Sequence, residues 1–441
     1  MDLLLEWLSN LARAGAELLL QPFYYISIIL IALQYRRQVL LERKLFHVRL
    51  NRWGLQTWRT FLGGLAAGIG VSAVSLFLGM NLTLEGVLLI WGASIVLMLM
   101  KVRYLCLAYA AGLLGVIQFV VNLFPGGPAA GFGADVLAAV RDLNIPALLA
   151  LAGLLHIAEA LLVRWQGASF AGPLFYEGKR GRPVGGYQMQ SLWPVPLFLL
   201  IPAHTAGSVL PWTPIFGGDG WQNGFALAGL PVMIGFSEMS ISLLPKAKVK
   251  LTSSRLLFYG LLILGAALLA RWFSGFTLAA ALLAFLLHEG LIWYSRFEEQ
   301  HRPPFFVHPD RGLRVLAVIP DSPAAELGIL AGETIVRVNG TDTNTKEQLH
   351  EALRINPAFC KLEVLNLAGE VKFLQRAIYA GEHHQLGVVL APDEDAPAVI
   401  RPGAVSLLGL LSPRRSAEQR GSRGPRRPSG RGAGREEPAT P

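Results

Sequence analysis

Along the first 295 residues, apolar positions run together in blocks of about 20, the length needed for a helix to cross a bilayer. They fall near 17–35, 61–79, 84–100, 104–122, 145–163, 192–210, 223–244, 256–272 and 276–294. Nine candidate spans result. The block at 192–210 is interrupted by Pro194, Pro196 and Pro202. Prolines inside a span are tolerated only where neighbours re-satisfy the freed backbone groups. From Arg311 the pattern changes. Residues 313–319 (LRVLAVI) read as a strand, and "SPAAELGI" reads as a short helix starting at Ser322 with Pro323 at its first position. "ETIVRVNG" reads as a strand closed by an Asn-Gly turn. "NTKEQLHEALR" reads as an amphipathic helix with Leu349, Ala352 and Leu353 on one stripe, before strands near 361–367 and 370–377. After Pro392 no period remains.

Composition supports this division. Of 441 residues, 53% are hydrophobic and 16% are charged, a membrane-protein profile. The net charge of +9 matters through its placement. Arg36, Arg37, Arg43, Lys44, Arg49, Arg52 and Arg59 crowd one loop against Glu42. Further cations sit at 101–103, 164–191 and 246–255, whereas 211–222 carries only Asp219. Cytoplasmic loops accumulate Lys and Arg. Nine spans with the N-terminus outside place every basic loop, and everything from 295 onward, in the cytoplasm. Asp2 and Glu6 replace the basic start of a cleaved signal peptide, so the first segment is expected to be retained.

The apolar half carries no complete catalytic motif. His288-Glu289 begins like HExxH, but Ile292 stands where the second zinc ligand belongs. Gly92-Ala93-Ser94 and Gly235-Phe236-Ser237 begin like a rhomboid GxSG and are followed by Ile95 and Glu238. Gly217-Gly218-Asp219 lies in a loop, away from the helix an intramembrane aspartyl pair requires. His156 and Glu159 share a helix face, either as an ion or proton relay or as a hydrogen-bonded pair holding helices together. Glu238 reads as interfacial. Cys106 and Cys360 form neither a disulfide framework nor a CxxC pattern and read as inert thiols. No metal set and no cofactor is implied.

The segment SPAxxxGxxxGExIxxVNG, with the element order around it, resembles a bacterial PDZ domain. Such domains bind an extended peptide along a sheet edge beside a helix. They hold its carboxylate on backbone N–H groups of an x-hydrophobic-Gly-hydrophobic loop. That loop does not precede the domain here, because "HRPPFFVHPDRG" lacks it, but "HHQLGVVLAP" follows the last expected strand. The implied domain is circularly permuted, with Gln385, Leu386, Gly387 and Val388 as the binding loop and Leu349 and Leu353 on the helix wall. Alternatively, Leu386 and Val388 are ordinary strand residues of a PDZ that binds nothing. His383-His384 lacks a third ligand nearby.

The fold class is therefore a multi-span α-helical membrane domain (1–295), a small α+β PDZ domain (305–392) and a disordered tail (393–441). From 392 to 441 there are eight Pro, seven Gly and nine Arg, too little apolar content for a core apart from "AVSLLGLL" at 404–411. Arginines between Arg414 and Arg435 could meet anionic lipid, while nucleic-acid binding has no supporting fold. The start, "QPFYYISIILIALQYRRQVLLERKLFHVRL", together with a membrane-proximal PDZ ending in LGVVLAP, resembles the MinJ-type topological determinants of cell division. That resemblance implies a non-enzymatic membrane scaffold at septa and poles, bridging the curvature-recruited protein DivIVA to the MinD ATPase and restraining FtsZ. The arginine-rich tail is foreign to it. Two other classes remain: a PDZ-bearing intramembrane protease or protease regulator, and a transporter with a regulatory PDZ. The first requires a complete catalytic motif, and the second requires paired membrane charges and inverted repeats.

Overall fold

A computed structural model describes residues 2–80, 82–124, 126, 131–179, 181–202, 212–217, 224–356, 358–377 and 386–393. Gly218, Asp219, His383, His384, Gln385 and the arginine-rich tail lie outside the described residues. The apolar half is mostly helical: α1 (Asp2–Leu20), α2 (Pro22–Phe46), α3 (Trp53–Leu78), α4 (Leu84–Met100), α5 (Leu107–Leu123), α6 (Phe132–Asp142) and α7 (Ile145–Gln166), then α8 (Pro245–Trp272) and α9 (Thr277–His301). Among the described residues four helices are long and apolar enough to cross a membrane, and five if α1 and α2, bent by 58°, count as one. The helices α4 and α5 are apolar but shorter.

Two blocks expected to be helical spans are strands. After β1 (Ala171–Glu177), β2 (Pro183–Pro202) and β3 (Phe225–Ser240) form a long antiparallel pair where hydropathy places helices at 192–210 and 223–244. The cause is the proline pattern. Pro194, Pro196 and Pro202 would each remove an i→i−4 bond from a helix. In the pair, Pro196 lies opposite Pro231, Pro194 opposite Met233 and Pro202 opposite Phe225. All these β2 positions share one parity, with their nitrogens turned away from β3, where a missing N–H costs nothing.

An open strand edge is not tolerated in hydrocarbon, and both edges here are covered. Against β2 lies α3, through Thr60, Gly64, Gly68 and Ser72 at four-residue spacing. A Cβ at Gly64 would stand 2.2 Å from the Pro194 carbonyl oxygen, and one at Gly68 2.4 Å from that of Pro196. Small side chains thus let helix and strand backbones meet. The Phe198 N–H, at an outward position that is not proline, donates to Ser72 Oγ at 2.9 Å. Tyr35 bridges Thr60 and Ser191 at 2.9 Å each, tying α2, α3 and β2 together. On the other side α1 covers β3, where Gln21 Nε2 donates to the Gly229 carbonyl at 2.8 Å.

A buried charge knot closes this layer near the second domain. Lys248 Nζ lies 3.2 Å from Glu299, 3.5 Å from Glu238 and 3.0 Å from Ser295 Oγ. Glu299 also accepts the N–H groups of Ile241 and Ser242. Glu238, expected at an interface, is a partner of this buried ammonium.

The second domain follows the sequence pattern closely: β4 (Leu313–Val318), α10 (Pro323–Glu326), β5 (Thr334–Val338), β6 (Thr341–Asp342), α11 (Lys346–Ile355), β7 (Phe359–Leu365), β8 (Val371–Ala377) and β9 (Val388–Leu390). Ser322 caps α10, and Thr345 with Gln348 forms a capping box on α11. Asn339 (φ 50°) and Gly340 (φ 84°) make the tight turn after β5. The sheet order is β8-β7-β5-β4-β9, with β6 on β5.

The α3 stripe generates a paired prediction. Gly64→Val or Gly68→Val should lower the melting temperature of the detergent-purified chain, at about 1–3 kcal/mol each or more. Gly70→Val, with nothing within 4 Å of its Cβ, should melt close to wild type. Equal melting of all three would refute the sealed edge.

Candidate functional site: the PDZ groove and its platform

The expected groove residues that are described converge. Leu349 and Leu353 of α11 and Leu386 before β9 share one buried cluster with Leu313, Val315, Ile335 and Val338, and Val388 packs against it. Gln385 lies outside the described residues. Among the described residues β9, last in the sheet order, pairs only with β4 (Val318 opposite Val388, Ala317 opposite Val389) and leaves its far side as an edge. Among the described residues the N–H groups of Leu386 and Gly387 meet no acceptor. Two adjacent donors next to a sheet edge and a helix are what a terminal carboxylate requires.

Gly387 has a second role that sequence reasoning missed. Its φ is +84°, and a Cβ there would stand 2.3 Å from Ser322 Cβ, inside the domain rather than in the groove. The Gly387 carbonyl accepts the Ile319 N–H at 2.8 Å, and that of Leu386 accepts the Ala324 N–H at 2.8 Å. The loop therefore closes the domain as well as bordering the β9 edge. Replacing this glycine does not cleanly probe ligand contact.

The other face of β4 and β9 rests on the apolar half. Leu316, Ala317 and Val389 are buried with Tyr187 and Phe306, against Phe46, Val48, Leu50 and Leu244. The Tyr187 hydroxyl donates to the Leu316 carbonyl, and Gly185 bridges Phe306, its N–H donating at 2.8 Å. Arg314 donates to the Phe305 carbonyl at 2.7 Å and stacks on that ring. Thus β2 touches the second domain at one end and lies under α3 along the rest.

The incomplete catalytic motifs fall on separate elements. Gly92-Ala93-Ser94 lies on α4 and Gly235-Phe236-Ser237 on β3, and Glu289 accepts from the Tyr109 hydroxyl at 2.8 Å. His156 and Glu159 approach to 3.9 Å on α7. Sequence reading did not associate them with Cys106 and His288, yet ligand atoms of Cys106, His156 and His288 lie within 4.8 Å of one another. Cys360 is buried in β7, and burial pushes its thiol up to about 11.

Residues 314–365 match the family model of the PDZ domain. The match ends before Leu386, so β9 and the loop ahead of it come from the structure. Over 408 residues, 90% of this chain and 99% of the relative, the chain is 31% identical to the cell division topological determinant MinJ of Bacillus subtilis (strain 168). The chain belongs to the MinJ family. It is also 27% identical, over 56% of its length and 66% of the relative's, to the probable cell division topological determinant MinJ of Lacticaseibacillus paracasei. These MinJ relatives carry the name of a division determinant rather than of an enzyme.

Closure of the domain by Gly387 is directly testable. Gly387→Ala combines a left-handed backbone with the Ser322 clash and should destabilise the PDZ domain by about 1–3 kcal/mol. Limited proteolysis of the full chain should then cut 311–392 faster than in wild type. Unchanged cleavage would refute the placement of this loop.

Proposed function

We propose that the chain is a non-enzymatic membrane scaffold of cell division, which holds site-selection proteins at septa and poles. The observation that carries this reading is the 31% identity to MinJ of Bacillus subtilis, which runs through both the apolar half and the PDZ domain. The fold supports it: a protein-binding module packed on a membrane-integral platform keeps its partners next to the bilayer. The partners proposed are a DivIVA-like protein and a MinD-like ATPase, linked through the groove of Gln385, Leu386, Gly387, Val388, Leu349 and Leu353 and through the basic loops.

The PDZ domain and the tail are proposed to be cytoplasmic. Residues 46–50 and Leu244 pack against the domain, and Arg52 lies 3.9 Å from Asp321. The middle of the basic segment 36–59 and the start of 246–255 thus lie beside it, on the side that Lys and Arg favour. The three-part division into 1–295, 305–392 and 393–441 belongs to the same proposal.

A fluorescent fusion of the full chain in its own host should concentrate at septa and poles, and deletion should give filaments and minicells. A photo-crosslinking residue at His350, exposed on α11, should capture the DivIVA-like or MinD-like partner. The same residue at Phe373, exposed on β8, should not. Uniform membrane fluorescence with normal division on deletion would contradict the function. Equal capture at both positions would contradict the groove alone.

A further inference from the structure

The cluster of Cys106, His156 and His288 lies among α5, α7 and α9, and neither the groove nor the platform uses it. Cys106 directly precedes α5, and its Sγ lies 3.3 Å from His156 Nε2 and 3.8 Å from His288 Nε2. His156 is 2% exposed. Its Nδ1 lies 2.7 Å from the Ala152 carbonyl. A carbonyl only accepts, so Nδ1 carries the proton and donates it. Nε2 is left as a bare lone pair facing the sulfur. Glu159 Oε2 stands 3.9 Å from the same nitrogen. Three electron-rich atoms therefore face one another in an apolar bundle.

A thiol proton shared between Cys106 and His156 would satisfy one of these contacts. It leaves unexplained why a carboxyl group, Glu159, is placed beside them in apolar surroundings, an expensive arrangement. A divalent cation at the centre accounts for it. Around a tetrahedral zinc ion, bond lengths near 2.3 Å to sulfur and 2.0 Å to nitrogen put ligand atoms about 3.5 Å apart. The observed 3.3 and 3.8 Å bracket that spacing. A thiolate and a carboxylate cancel the dication's charge while the imidazoles stay neutral, so the site adds no net charge to the bundle. The hydrogen bond from His156 to Ala152 is the outer contact that fixes a metal-ligating imidazole.

We propose that Cys106, His156 and His288 bind one zinc ion that clamps α5, α7 and α9, with the Glu159 carboxylate beside it balancing charge. Thiolate with imidazole suits zinc better than magnesium or calcium, which take oxygen ligands.

The test uses the full chain purified in detergent, with zinc and cobalt as probes. Wild type should retain about one zinc per chain after dialysis, measured by elemental analysis. Cys106→Ser, His156→Gln and His288→Gln should each lower retention at least tenfold. Cobalt added to chelator-stripped wild type should give thiolate-to-metal charge-transfer absorption and the strong visible bands of a tetrahedral site. This reading needs no variant to fold. Zinc should also block alkylation of Cys106 by iodoacetamide, while Cys360, with its raised thiol, stays silent near neutral pH. Zinc retention unchanged in all three variants would overturn the proposal. So would stripped wild type that shows no cobalt charge-transfer band, or Cys106 alkylated equally fast with and without zinc.

Discussion

The structure depends on how the backbone polar groups of β2 are satisfied inside an apolar surrounding. A strand there must hide both edges, because each unpaired N–H or carbonyl costs several kcal/mol. One edge of β2 pairs with β3 along 187–202, and the other pairs with β1 only over 183–189. The rest of that second edge is handled by subtraction and by contact. Pro194, Pro196 and Pro202 have no N–H to satisfy, and Phe198 gives its own to Ser72. Gly64 and Gly68 let α3 approach closely enough to exclude lipid from the carbonyls. The prolines that would break a helix and the small residues that line α3 are two halves of one solution.

That strand also explains how the soluble domain is held. Over its 20 residues β2 spans roughly 60 Å. It passes from the layer under α3 to Tyr187 and Gly185, which meet Leu316 and Phe306. Beside this contact the Lys248 ammonium gathers β3, α8 and α9 through Glu238 and Glu299. Removing one partner of such a buried set strands the remaining charges. A module fixed on its platform presents its sheet edge in one orientation.

The PDZ elements were legible because their signals are local. Ser322-Pro323 starts a helix, Asn339-Gly340 turns a strand, and Thr345 with Gln348 caps α11. Leu349, Leu353 and Leu386, expected on the same pattern to line a groove, share one buried cluster. The hairpin was not legible from hydropathy, which measures apolar content. A strand apolar on both faces scores like a helix of equal length. The prolines at 194, 196 and 202 were the available signal, and their shared parity is a strand signature. The role of Gly387 in closing the domain depends on Ser322, 65 residues earlier, and could not be read locally. The Cys106, His156 and His288 cluster joins positions 50 and 182 residues apart, so no spacing motif could reveal it.

The sealed hairpin is tested most directly by cysteine pairs across its register. Pro194 with Met233 and Leu200 with Leu227 are opposite one another at positions where side chains approach most closely. Both pairs, introduced singly as Pro194→Cys with Met233→Cys and Leu200→Cys with Leu227→Cys, should form disulfides on mild oxidation in native membranes. The one-residue slip, Leu200→Cys with Ala228→Cys, puts the sulfurs on opposite faces and should not. Disulfides at both in-register pairs and none at the slip are the predicted result. Failure of both in-register pairs, or a slip pair that forms as readily, would show that these segments are not this hairpin.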